Sequence, residues 1–151
     1  MANILIISGS VYGTATVVAE DLKIALEKGG HRVTHQEGGD SSILADEQFD
    51  AALICTSTTG AGDIPANLAT FHEELVSAPP RVTDLRYAVI ALGDSSYVDS
   101  FCGAGLTLDQ AMAEIGAARI CPPLQIDAME DFTPEDTAIA WVDDLLSQHL
   151  S

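Results

Sequence analysis

Basic side chains are scarce in this chain of 151 residues: 6 Lys and Arg stand against 23 Asp and Glu, a formal charge of −17. That deficit excludes a nucleic-acid binder, whose phosphate contacts are made by Lys and Arg. It suits a protein that meets basic patches on partners, and it equally serves solubility; charge alone does not choose between the two. Long apolar runs are also missing. A stretch such as "YAVIAL" falls far short of the roughly 20 residues a bilayer span needs. No basic segment precedes the first apolar run, so a secretory signal is not expected and a cytoplasmic location is. Cysteine is sparse and odd in number: Cys55, Cys102 and Cys121 show no CxxC or metal spacing and are expected to be reduced, mostly buried thiols. The four histidines form no ligand pattern either, and no metal is expected.

What the chain does have is alternation. "NILIIS" (3–8), "DAALICT" (50–56) and "LRYAVIAL" (85–92) are continuous apolar runs of strand length, "HRVTHQE" (31–37) is a shorter, charged strand suited to an edge, and "RICPPLQID" (119–127) is a strand interrupted by prolines. Between them lie segments with helical spacing. In 15–28, Val18, Leu22, Ala25 and Leu26 recur on one face before Gly29-Gly30 stops the helix; 67–77 and 106–117 read similarly. The last helix, 134–150, opens with Thr133 as cap, Pro134 at its first position and acids in its first turn. Strands without polar alternation are buried on both faces, which predicts a mainly parallel sheet covered by helices on each side. The expected fold is therefore α/β and doubly wound, with five strands in order 2-1-3-4-5, formed by residues 1–151 as one domain. Ligands of such sheets bind beyond the carboxyl ends of the strands, between strands 1 and 3.

Three loops fall at that edge. The first, "GSVYGT" (9–14), runs from strand 1 into helix 1, so its N–H groups converge at a helix N-terminus, where an anion is favoured. Gly9 and Gly13 allow close approach and unusual dihedrals, and Ser10 and Thr14 add hydroxyls. The loop has no Lys or Arg, lacks the lysine of GxxxxGK[ST] and is not GxGxxG, so a single phosphate fits better than a triphosphate with Mg²⁺. Alone, such a loop is also compatible with a plain turn. The second, "TSTTGAGD" (56–63), has glycines that let backbone approach a flat ligand. The third, "LGDSSYVDSFC" (92–102), carries Tyr97, either a stacking platform or a ring folded onto its own protein.

Taken together, "SGSVYGTATVVAE", "TSTTGAGDIPANL", "LRYAVIALGDSSYVDSFCGAG" and the terminal "WVDDLL" resemble the short-chain flavodoxins, in particular the small bacterial group of MioC-like and YqcA-like proteins, with YqcA-like favoured. The resemblance spans nearly the whole chain. It implies FMN as cofactor. The phosphate would sit in the segment Ser10, Val11, Tyr12, Gly13, Thr14 and Ala15, gripped by the hydroxyls of Ser10 and Thr14 and by backbone N–H groups. The ring would lie between the loop Ser57, Thr58, Thr59, Gly60, Ala61 and Gly62 and the side chain of Tyr97. Backbone at Leu92, Gly93 and Asp94 and at Phe101 and Cys102 would meet the ribityl chain and pyrimidine edge, with Asp127 a further flavin-side position.

By the same resemblance the protein is a low-potential electron carrier, not an enzyme. It would dock a flavodoxin or ferredoxin reductase and acceptor redox enzymes through its acidic surface, as a monomer and with no nucleic acid or membrane partner. Asp63, Asp94 and Asp99 are the acids expected to matter for docking and to oppose a negatively charged reduced flavin. Relatives usually carry Trp or Tyr where this chain has Thr59, an acid where it has Ala61, and threonine where it has Tyr12. The missing stacking partner predicts FMN binding weaker by about 0.5–1.5 kcal/mol. The alternatives are a flavin-dependent NAD(P)H or quinone oxidoreductase, for which little extra chain is present, and a flavin-free scaffold of the same fold. A receiver domain of the same strand order needs an aspartate at the end of strand 3, where Thr56 stands.

Overall fold

The structure is a computed structural model, and it describes residues 3–10, 13–46, 49–57, 64–80, 82, 85–93, 102–127, 131 and 133–149. The strands are β1 (Asn3–Gly9), β2 (Arg32–Glu37), β3 (Ala51–Thr56), β4 (Arg86–Gly93), β5 (Ala118–Arg119) and β6 (Leu124–Asp127). The helices are α1 (Thr14–Lys28), α2 (Ile43–Asp46), α3 (Ala66–Ser77), α4 (Gly103–Glu114) and α5 (Pro134–His149). All the strand pairs among the described residues are parallel, in the order β2-β1-β3-β4, and β5 and β6 both pair with β4. The predicted fifth strand is thus two short pieces. Pro122-Pro123 lie between them, and proline has no N–H to give a ladder.

Strand residues alternate between two apolar layers because successive side chains point to opposite faces. On one face Ile4, Ile6, Leu53, Cys55, Ile90 and Leu92 pack with Val18, Leu22 and Leu26 of α1 and Val142 and Leu145 of α5. On the other, Leu5, Ile7, Ile54 and Val89 pack with Leu68, Phe71 and Leu75 of α3 and Leu108 and Met112 of α4. Each such side chain, taken fully out of water, contributes about 1.5–3 kcal/mol, so the central strands β1, β3 and β4 are the most strongly held. β2 carries only one buried side chain, Val33, as an edge strand should.

Two differences from the sequence reading have local causes. The short helix α2 lies in a Gly/Ser/Asp-rich stretch that shows no periodicity over its four residues; Leu44 buries itself in the α3-side layer and accounts for the turn. α4 begins at Gly103 rather than at residue 106. Gly105 lets the start of this helix lie against β4: a Cβ there would come within 2.3 Å of the Ala91 Cβ.

Among the described residues no helix is long and apolar enough to cross a membrane.

Candidate functional site at the carboxyl edge of the sheet

The register places Gly9 opposite Thr56, Thr56 opposite Ala91, and Gly93 opposite Asp127, so the strand ends line up along one edge. From β1 the chain departs into α1 on one face; from β3 it departs toward α3 on the other. The crevice between these departures is the switch point where doubly wound sheets hold ligands, a rule for which flavodoxin is a standard example.

α1 starts from Gly13, whose φ of 84° lies in the left-handed region that glycine enters at little cost. No side chain caps the helix and no acid stands in its first turn. The Val17 N–H is bonded to the Gly13 carbonyl at 2.9 Å, whereas the N–H groups before it have no acceptor within the helix and carry the positive end of its dipole. Two hydroxyls join them. Ser10 Oγ and Thr16 Oγ1 are both buried, and neither has a hydrogen-bond partner among the described residues. Leaving a buried polar atom unpaired costs about 1–3 kcal/mol, so two within one helix start mark a place shaped for something that would bond them.

Gly9 has a different duty from the one its position in the loop implied. A Cβ there would meet the Leu68 side chain at 2.4 Å and Asn67 Oδ1 at 2.8 Å, so this glycine admits the start of α3. Gly38, just past β2 at φ 62°, is pressed against the same helix, with a hypothetical Cβ only 1.7 Å from the Asn67 carbonyl oxygen. The Gly9 carbonyl also accepts the Ser57 N–H at 3.1 Å, which ties the first loop to the start of the second.

Of the sequence-predicted site residues, the structure brings Ser10, Gly13, Thr14 and Ala15 to the α1 start and Ser57 next to Gly9. The Ala15 side chain is buried in the core, and its carbonyl accepts the Cys55 thiol at 3.5 Å, so only backbone faces the crevice. Thr14 is exposed. Thr16 was not predicted; counting helix positions from Gly13 as cap puts it third in the first turn, where side chains reach back to the helix start. Leu92 is buried among the α1-side residues, which leaves its backbone for the site, and Gly93 ends β4 beside Asp127. Cys102 precedes α4 at φ 56°, the one non-glycine residue with positive φ among the described residues, and its thiol bonds the Ala91 carbonyl at 3.3 Å. Burial pushes the Cys102 thiol up to about 11 and that of Cys55 up to about 12, so both stay protonated. Val11, Tyr12, Thr58, Thr59, Gly60, Ala61, Gly62, Asp94, Tyr97 and Phe101, with the acids Asp63 and Asp99, lie outside the described residues.

A fold of this order with an anion-ready loop after its first strand defines a flavodoxin-like α/β protein. The flavodoxin family profile matches residues 6–141, and the chain belongs to that family. Flavodoxin YqcA of Pectobacterium carotovorum subsp. carotovorum is 39% identical over 143 residues, 95% of this chain and 94% of the relative. Protein MioC of Escherichia coli strain K12 is 37% identical over 143 residues, 94% and 95% of the two chains. Among solved structures, a cysteine-to-alanine mutant of flavodoxin from Pseudomonas aeruginosa superposes with a TM-score of 0.87 at 36% identity, covering 96% of this chain and 97% of the other.

Proposed function

We propose that the protein binds FMN at the carboxyl edge of its sheet and carries electrons between a reductase and acceptor enzymes. The observation that carries this reading is the pair of buried, unpartnered hydroxyls, Ser10 Oγ and Thr16 Oγ1, at the uncapped start of α1. Together with the N–H groups of that turn, which have no acceptor within the helix, they suit the terminal phosphate of a mononucleotide, and no Lys or Arg stands in the loop to demand more charge. FMN, when bound, supplies the redox chemistry; the protein supplies binding, orientation and field.

Ser10, Thr16 and the N–H groups from Gly13 onward hold the phosphate. By the family resemblance, backbone at Leu92, Gly93, Asp94, Phe101 and Cys102 would meet the ribityl chain and the pyrimidine edge, with Asp127 on the flavin side. The 57–62 loop and Tyr97 would flank the ring. The charge of −17 favours a basic partner surface, so electron delivery by a reductase slows as salt rises.

The decisive experiment is simple. Purified protein is expected to be yellow, to release FMN on heating, and as apoprotein to quench FMN fluorescence on titration while binding riboflavin more weakly. Protein that stays colourless after incubation with excess FMN would refute the reading.

A further inference from the structure

One polar pair at this edge has no place in the phosphate contacts above. Ser8, fully buried near the end of β1, has its Oγ 2.7 Å from Nε2 of His35 on β2. Ser8 is two residues from Ser10 along a rigid path: its backbone is in register with Glu37 and Cys55, and its carbonyl accepts the Gly38 N–H at 2.8 Å. Resting on the FMN reading, we propose that His35 is a positioning residue of the phosphate cradle: it holds the cradle's floor through Ser8, and its protonated form strengthens anion binding.

Charge is the reason. Residues 9–16 include no Lys or Arg, so a bound phosphate there meets dipoles only. His35, tied to the strand that leads into the cradle through Ser8, can add a full positive charge when it is protonated. Groups face it from each element packed on β2. Ser8 comes from β1; Glu20 and Lys23 come from α1; Glu37 lies on its own strand. Burial pushes the imidazole below its ordinary value, helped by Lys23, while Glu20 and Glu37 pull the other way. The ring is therefore mostly neutral at pH 7 and takes up its proton only below the ordinary imidazole range. In the neutral ring one proton is shared with Ser8 in either sense; in the charged ring Nε2–H donates to Ser8 Oγ. An anion on the cradle favours that second state by direct attraction. Binding linkage is reciprocal, so the anion must raise the His35 midpoint by the same factor by which protonation tightens the anion.

The test follows His35 by NMR titration in the full-length apoprotein with and without FMN, riboflavin or sulfate, whose charge is constant from pH 5 to 8, at matched ionic strength. FMN fluorescence quenching is recorded in parallel. FMN and sulfate are expected to raise the midpoint by about half a unit, equivalent to about threefold tighter binding to the protonated form; riboflavin is expected to leave it in place. Quenching of FMN with an unmoved midpoint overturns the His35 role and leaves the FMN reading standing. A midpoint moved by sulfate with no FMN quenching supports the role and overturns the FMN reading, and neither effect overturns both. His35→Gln, which keeps a donor for Ser8 but not the charge, separates coupling from structure. The ratio of FMN affinities at pH 5.5 and 8 should fall relative to wild type, by at most about threefold. The titration of the FMN phosphate itself is common to both proteins and cancels. An equal loss at both pH values would reduce His35 to a structural prop and overturn the proposal.

Discussion

Two sets of buried polar groups, one at each end of the sheet, are treated in opposite ways. At the amino end of β4, Tyr87 is fully buried and its hydroxyl donates to the Asp109 carbonyl at 3.0 Å. The Asp109 carboxylate, almost fully buried, is gripped by Arg119 Nε at 3.0 Å and by Nη2 at its other oxygen. Every member has a partner, and the set ties β4, α4 and the edge piece β5 together. At the carboxyl end, Ser10 Oγ and Thr16 Oγ1 are buried with none among the described residues. The first arrangement stabilises the fold; the second leaves bonding capacity unmet at the start of α1, where the proposed FMN phosphate would sit. A satisfied network and an orphaned pair, built from the same kinds of groups, thus separate architecture from function within one sheet.

The comparison breaks most visibly at the orphaned pair. The double variant Ser10→Ala/Thr16→Val is expected to weaken FMN binding by about 3–6 kcal/mol, from two hydrogen bonds to a charged group at about 1.5–3 kcal/mol each. It should leave urea stability of the apoprotein unchanged or higher, because none of the described residues bonds those hydroxyls. A loss of apoprotein stability would show that they serve the fold instead. Gly38→Ala is next. It places a methyl against the Asn67 carbonyl at positive φ, and about 2–4 kcal/mol of stability should be lost by overpacking and a left-handed alanine. At the other end Tyr87→Phe removes one satisfied bond and is expected to cost about 0.5–1.5 kcal/mol in urea unfolding, with FMN affinity unchanged. A change in affinity there would mean the two ends are coupled.

The smallest effect is on pH. Because burial lowers the His35 midpoint, the unfolded chain binds more protons than the folded one. The contribution of His35 to apoprotein stability is therefore complete above the unfolded value near 6.5 and declines as pH falls below it. The difference in unfolding midpoint between wild type and His35→Gln, measured at pH 7.5 and 5.5, should shift against wild type at the lower pH. No shift between the two pH values would mean that the ring titrates alike in both states.

Much of this was legible along the chain. Continuous apolar strands told of a two-faced sheet, and the glycines around the first loop told of a sharp turn from β1 into α1, because both depend on local pattern. Thr16 and His35 escaped for a shared reason. A hydroxyl one residue past the expected loop, and a histidine on an edge strand, acquire meaning only from what packs beside them. Gly9 was legible as a glycine needed at that place but not for its cause, since Leu68 and Asn67 lie far along the sequence.

Alternation of apolar strands with amphipathic helices determines the layers, the parallel sheet and the edge at which the strand ends line up, since each follows from which side chains must leave water. Which hydroxyls stay unpaired, which imidazole reaches Ser8 and which glycine makes room for α3 were decided by the tertiary structure. Those facts rest on contacts between residues distant in the chain, and no local periodicity records them.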